Sequence, residues 1–485
     1  MLRRSPSARR SRLVPAVAAL LAVGAPALAV PAAADAHGLA GGRELPIPEW
    51  LFAWAAAIVL VVSFVGLTVL WHRPRLAALA EGRALRVPVG AQVAGHVALG
   101  ALGVGLYGLT IWAGLSGIDN PQSNLAPTMV YVGFWVGVPV LSLVVGDVWH
   151  AMSPWRAIAD AGGWIARRAG GRDALPAPLR YPERVGAWPA AAVLLVFAWL
   201  ELAAGNRDDP QLLGVLALLY GAAMLVGCGL YGTTFLDRAD GFGRYFGLAA
   251  TLAPVHWERG LVRLRAPGSG LATIEPSPGL AAVVLTLIGT TTFDGISNGE
   301  LWSSDGALGT TLEDLFGDLG LGASNAATAA ATVGILLAVG LVTLFVRLGV
   351  AGVRSVDRER LRDVDLLGRF APTLAPIAIG YAVAHYVSLL LIQGQALGFL
   401  LSDPRGDGSN LFGTAGWGVD YGIISPEATW YLQVAALVGG HVAGLVAAHD
   451  LALRTFRGPR AAVRSQYWML AVMVAFTSLG LWLLS

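Results

Sequence analysis

Lysine does not occur in this 485-residue chain; all 33 basic residues are arginine. That excludes a P-loop lysine, a Schiff-base lysine and the phosphate-contacting lysine of a kinase strand. Cysteine occurs once, at Cys228. An intrachain disulfide, a C-x-x-C redox pair, c-type haem attachment and a cysteine-built zinc or iron–sulfur site are therefore excluded. Inside an apolar run, that thiol reads as a small packing residue. Charge is scarce as well: 13% of residues are charged, against about 25% in soluble domains. The formal net charge of +2 is too small to imply a nucleic-acid partner. No H-E-x-x-H occurs, so a zincin is excluded.

Hydrophobic residues fill the space, at 55% of the chain. Several runs reach the roughly 20 apolar residues that cross a bilayer as a helix. The pattern predicts an all-α fold, a polytopic transmembrane helical bundle. About ten spans are expected, over 49–71, 91–114, 128–150, 188–204, 212–235, 279–294, 325–349, 371–399, 429–453 and 466–485. Before them, a basic stretch, an apolar stretch and Ala34-Asp35-Ala36 read as a cleaved signal peptide over 1–36. Residues 37–485 then form one integral membrane domain. Cleavage would expose His37, whose amine and imidazole together chelate copper-like metals, although a lone His is a poor site.

Arginine marks the sides. Loops 72–90, 151–187, 236–278, 350–370 and 454–465 are Arg-rich, whereas the alternate loops hold only Arg43, Arg207 and Arg405. The positive-inside rule makes the first set cytoplasmic and places both mature ends outside, in the cell (inner) membrane. The outer loops 294–324 and 402–428 are acidic and Gly-rich. Thr310 and Glu313 have capping-box spacing, which predicts a short helix there. Residues 243–265 of the inner loop mix apolar and basic side chains, as a segment along an anionic leaflet does, and include His256.

Ionisable groups within spans are costly and mark function. His385 and His441 fall midway along spans eight and nine, and antiparallel neighbours would bring them together. They and Gln393 and Gln395 are the expected substrate or ion pathway. Toward the cytoplasm, His96, Asp147, His150, His449 and Asp450 are the candidate divalent-metal set; a carboxylate beside an imidazole fixes its tautomer. Glu201 and Asp294 read as solvated ends near the outer surface. Pro139, Pro372 and Pro376 are expected to kink their helices. His385 and His441 could together ligate a single b-type haem, with little room for a second. The match of GISNG, residues 295–299, to a nucleophile elbow is weak, because it follows an apolar span instead of a strand.

The stretches AHGLAGGRELPIPEWLFAWAAAIVLVVSF, GDVWHAMSPWR and APTLAPIAIGYAVAHYVSLLLIQGQ resemble a bacterial multi-pass membrane family named fenitrothion hydrolase. The resemblance implies cleavage of an organophosphate triester and carries no catalytic residue across. Three functions stand open: transport of a small solute, metal ion or proton past buried histidines; metal-dependent hydrolysis of phosphotriesters in the membrane; and a scaffold whose polar residues serve packing.

Overall fold

The computed structural model describes residues 49–170, 177–297, 299–354, 363–456 and 458–484. The expected signal peptide and His37 lie outside them. Helices occupy every expected span: α1 (Glu49–Leu70), α2 (Val89–Ser116), α3 (Leu125–Val145), α4 (Trp188–Ala203), α5 (Pro210–Tyr231), α6 (Gly241–Leu252, a shorter helix), α7 (Leu280–Ser297), α8 (Ala323–Arg354), α9 (Asp365–Leu400), α10 (Pro426–Thr455) and α11 (Tyr467–Leu484). Among the described residues, 7 are long and apolar enough to cross a membrane: α2, α3, α5, α7, α8, α9 and α10. Trp54–Leu70 of α1 and all of α4 are apolar but shorter.

Their exteriors explain the composition. Val93, Val97 and Leu102 on α2, Leu219 and Val226 on α5, and Leu336, Leu337, Leu341, Leu344 and Leu348 on α8 are exposed. Such continuous apolar surface is foreign to a water-facing protein and natural against acyl chains. The helix α7 differs: it is buried along most of its length, between α4, α8 and α9. Its Thr290, Thr291 and Thr292 return their hydroxyls to backbone carbonyls four residues earlier, so they need no partner across the bundle.

Helix starts follow their capping residues. Asp209 accepts from the amides of Gln211 and Leu212 ahead of α5, and Ser425 from Ala428 ahead of α10. Proline leaves other marks. Pro139 lacks the amide that an α-turn would use, and the preceding Met129–Gly137 winds as a π-helix. Pro372 lies in a 3₁₀ turn, Ala371–Leu374, that interrupts α9. Two of the three expected kink sites thus coincide with changed helical winding, while Pro376 lies in the first turn of the regular α-helical stretch Ala375–Ile392.

Three expectations change. Span three ends at Val145, because Gly146 has φ of 92° and a Cβ there would lie 2.7 Å from the Val255 carbonyl oxygen. Asp147 and His150 therefore belong to a separate short helix, Val148–Met152, outside the span. The inner segment 243–265 is not one surface-lying stretch. Its first part is α6; the rest is a hairpin of β2 (Val255–Glu258) and β3 (Leu261–Leu264), turned at Gly260. β1 (Arg83–Arg86) completes an antiparallel sheet in the order β1-β3-β2. The expected outer helix forms as Leu308–Asp318, but Ala307 precedes it and Thr310 lies inside it, so no capping box closes.

Candidate functional site

The central group is not the expected one. His385 Nε2 lies 2.8 Å from Asp294 Oδ2, and the Tyr386 hydroxyl donates to the same oxygen at 2.6 Å. Asp294 sits on α7 and both partners on α9. The carboxylate is 8% exposed, so it is no solvated end. The helix α7 continues to Ser297 and places Asp294 about one turn inside the span. The imidazole ring of His385 also meets the Tyr386 ring edge-on, at 4.8 Å between centroids. Glu201 on α4 lies within electrostatic reach of Asp294, Tyr386, Tyr131 and Tyr245. Two carboxyl groups, an imidazole and a phenol thus share a low-dielectric region, where protonation states are strongly linked.

A cavity of about 750 Å³ lies at the end that carries the acidic loop 294–324, and its lining includes chain neighbours of Asp294 and Glu201 but neither carboxyl residue itself. Phe293 and Ser297 flank Asp294 along α7 and line it, as do Leu202 and Ala203 beside Glu201. Its rim carries Arg207, Asp208, Asp209 and Glu313. Arg207 donates to the Glu201 backbone carbonyl at 3.2 Å, tying the rim to the end of α4.

His441 does not join His385. It is 1% exposed, and its Nδ1 lies 2.8 Å from the Leu437 carbonyl of its own helix. Its Nε2 is buried without a partner among the described residues. Glycines fix the level of α10 against α9: a Cβ on Gly440 would lie 2.5 Å from the Pro376 carbonyl oxygen, and one on Gly380 2.6 Å from that of Ala436. His441 therefore sits level with Pro376–Gly380 of α9, while His385 is about two turns farther along. The two rings are not placed to share a haem. Around His441, a Cβ on Gly440 or Gly444 would press on α9, whereas one on Gly439 would meet nothing within 4 Å.

Gln393 and Gln395 occupy a 3₁₀ turn near the far end of α9. Gln395 donates to the Asp420 carbonyl and accepts from the Asp420 amide, each at 3.0 Å, and so pins loop 402–428. Gln393 is exposed.

The expected metal set divides into separate places. Asp450 is wholly buried; its Oδ1 accepts from the Trp71 indole at 3.2 Å and from the amides of Arg75 and Leu76 at 2.6 and 3.1 Å. Its Oδ2 lies 3.1 Å from Arg454 Nη2. It thereby caps the short helix Leu76–Glu81 across the bundle. His449 bridges the Trp71 carbonyl, 3.0 Å from Nε2, and Gln466 Oε1, 3.1 Å from Nδ1. Elsewhere, the His96 and His150 rings lie 6.1 Å apart and His96 Nε2 is 3.4 Å from Asp160. Asp147 Oδ1 accepts the His150 amide at 3.0 Å, as a helix cap. Burial, then the Arg156 charge, lowers the His150 pKa from its ordinary value. Among the described residues, no three His, Cys, Asp or Glu side chains are grouped to hold a metal ion.

One further buried carboxylate was absent from every sequence-based set. Asp240 caps α6 through the Gly243 amide at 2.9 Å. It also accepts from the Trp149 and Trp155 indoles at 3.2 and 3.0 Å and from the Tyr220 hydroxyl at 2.8 Å. Burial pushes its carboxyl upward, and these hydrogen bonds oppose that shift. Its signal was available in ADGFG, an Asp three residues ahead of Gly243 at the start of an amphipathic run. No family model, curated protein or solved structure matches this chain.

Proposed function

We propose that the chain is a multi-pass membrane transporter in which Asp294 and His385 form the proton-binding pair of a pathway for a small solute, a cation or the proton itself. One observation carries the reading: a carboxylate and an imidazole in direct contact within the helical bundle. Such a pair is expensive to keep in hydrocarbon unless it is used. Asp294 accepts the proton, His385 exchanges it across the 2.8 Å contact, and Tyr386 holds the acceptor oxygen in place. Glu201 is the group through which protons reach Asp294 from the cavity.

The finer topology belongs to the same proposal: ten spans, a cleaved signal peptide over 1–36, both mature ends outside and residence in the inner membrane. Loop grouping supports it. Residues of loops 151–187 and 236–278 together line one cavity, while 205–209 and 297–313 line another. Hydrolysis of a phosphotriester, which the family resemblance implies, would need a water-activating group. Among the described residues no metal-ligand set is grouped, so that task would fall to the Asp294–His385 pair as a general base; the placement of the pair within the bundle favours transport.

The test is proton flux in vesicles carrying the purified protein and an internal pH-sensitive dye. Asp294→Asn and His385→Ala should abolish flux without preventing insertion. His441→Leu should retain it, because His441 stands apart from the pair. Wild-type flux in both of the first two variants would overturn the assignment. Metal-dependent triester turnover by the same preparation would favour the hydrolase.

A further inference from the structure

The second cavity, of about 860 Å³, lies at the Arg-rich end and has the size of a small-molecule site. Arg156, Arg184, Arg238 and Arg244 line it, along with several carboxylates. Three of the acids are already engaged. Asp240 holds its four donors, Asp147 caps its short helix, and Asp237 pairs with Arg156 at 2.5 Å. Glu183 and Glu275 are exposed at the rim.

Arg244 is the exception to this pairing. Its Nη1 donates to the Asp237 carbonyl at 3.3 Å, a long contact with a neutral oxygen. Its Nε is buried with no partner among the described residues. Burial, then the Arg238 charge, disfavours the Arg244 cation, and the Asp237 carboxylate favours it. Arg244 thus lines the cavity with its hydrogen-bonding capacity incompletely used, and the Asp237 carboxylate that favours its charge is already paired with Arg156. A guanidinium at a cavity wall suits an oxyanion, which its fork binds through two parallel hydrogen bonds. Space is kept for it one turn along α6: a Cβ on Gly247 would meet no atom within 4 Å.

We propose that this cavity binds a phosphate-bearing anion, anchored by Arg244 with Arg238 beside it and entered from the Arg-rich end. A soluble phosphate and a lipid headgroup share this chemistry. The site is separate from the Asp294–His385 pair and does not depend on its role.

Purified protein in neutral detergent is titrated with inorganic phosphate and with pyrophosphate at fixed ionic strength, and thermal unfolding is followed. In parallel, it is placed in nanodiscs of phosphatidylcholine with or without phosphatidylglycerol. Saturable stabilisation by phosphate or pyrophosphate, unmatched by chloride, is expected for a soluble ligand. Stabilisation by phosphatidylglycerol alone identifies a headgroup. Either response should weaken at least tenfold in Arg244→Gln. Gly247→Leu supplies a second variant that fills the cavity and leaves every charge in place; it should lose the response while remaining folded. No response in the wild-type protein, or an equal response in both variants, overturns the proposal.

Discussion

Asp294→Asn preserves the shape of the central group and removes its charge. An amide oxygen at the Oδ2 position still accepts from Tyr386, at 2.6 Å in the native group, and still lies beside His385, at 2.8 Å. Hydrogen bonds to a charged group contribute about 1.5–3 kcal/mol and neutral ones about 0.5–1.5 kcal/mol. Each of two bonds therefore weakens by about 1 kcal/mol, a total near 2 kcal/mol. That loss leaves a folded protein, whereas Asp294→Ala strands a half-buried imidazole and a buried phenol and should cost about 3–5 kcal/mol. Function should respond in a different proportion. An amide cannot carry the proton, so flux should fall by about 10²-fold or more. Asp294→Glu should recover part of it. The assay is dye-reported flux in vesicles, normalised to inserted protein, with thermal unfolding measured on the same sample. Flux within about twofold of wild type in folded Asp294→Asn would refute the reasoning.

Other consequences follow from packing and burial. Asp240→Ala removes the acceptor of two indoles, a phenol and a helix-capping amide; it should destabilise the protein by about 3–5 kcal/mol, seen as lost expression or a lowered unfolding temperature, with Asp240→Asn milder. Gly440→Ala places a methyl 2.5 Å from the Pro376 carbonyl oxygen and must push α9 from α10, at a cost of about 1–3 kcal/mol by the same measurement. His150 titrates below its ordinary value when folded, because burial and Arg156 oppose its charge, although Asp147 and Asp237 favour it and His96 adds to the opposition. The unfolded chain then binds more protons in that window, so stability is complete above about pH 6.5 and falls as the pH drops below it. His150→Gln should flatten that fall in unfolding curves taken at mildly acidic and neutral pH.

Much of the fold was legible because membranes impose a simple rule: a span must satisfy its own backbone, and this needs long apolar helices. Every expected span contains a helix, and two of the five Arg-rich loops, 151–187 and 236–278, line one cavity. The hairpin was missed although VHWE-RG-LVRL alternates and turns at a glycine; Arg and His on its exposed face imitated an interfacial helix. Span ends decided the rest. Ending span six at Asp294 made it look solvated, and one added turn buries it. Carrying span three past Gly146 put Asp147 and His150 in the membrane, where only a positive-φ glycine separates them from it. The His385–His441 pairing failed for another reason. Both residues were rightly placed on neighbouring antiparallel helices, but the stagger of α9 against α10 is set by Gly380 and Gly440, and no single-helix pattern reports it.

Proton binding at Asp294 is most directly read by pH-difference infrared spectroscopy of the membrane-reconstituted protein. Acidification of the wild type should raise a protonated-carboxyl C=O stretching band that disappears in Asp294→Asn and shifts in His385→Ala. A wild-type spectrum without such a band, or one that Asp294→Asn leaves unchanged, would contradict the account.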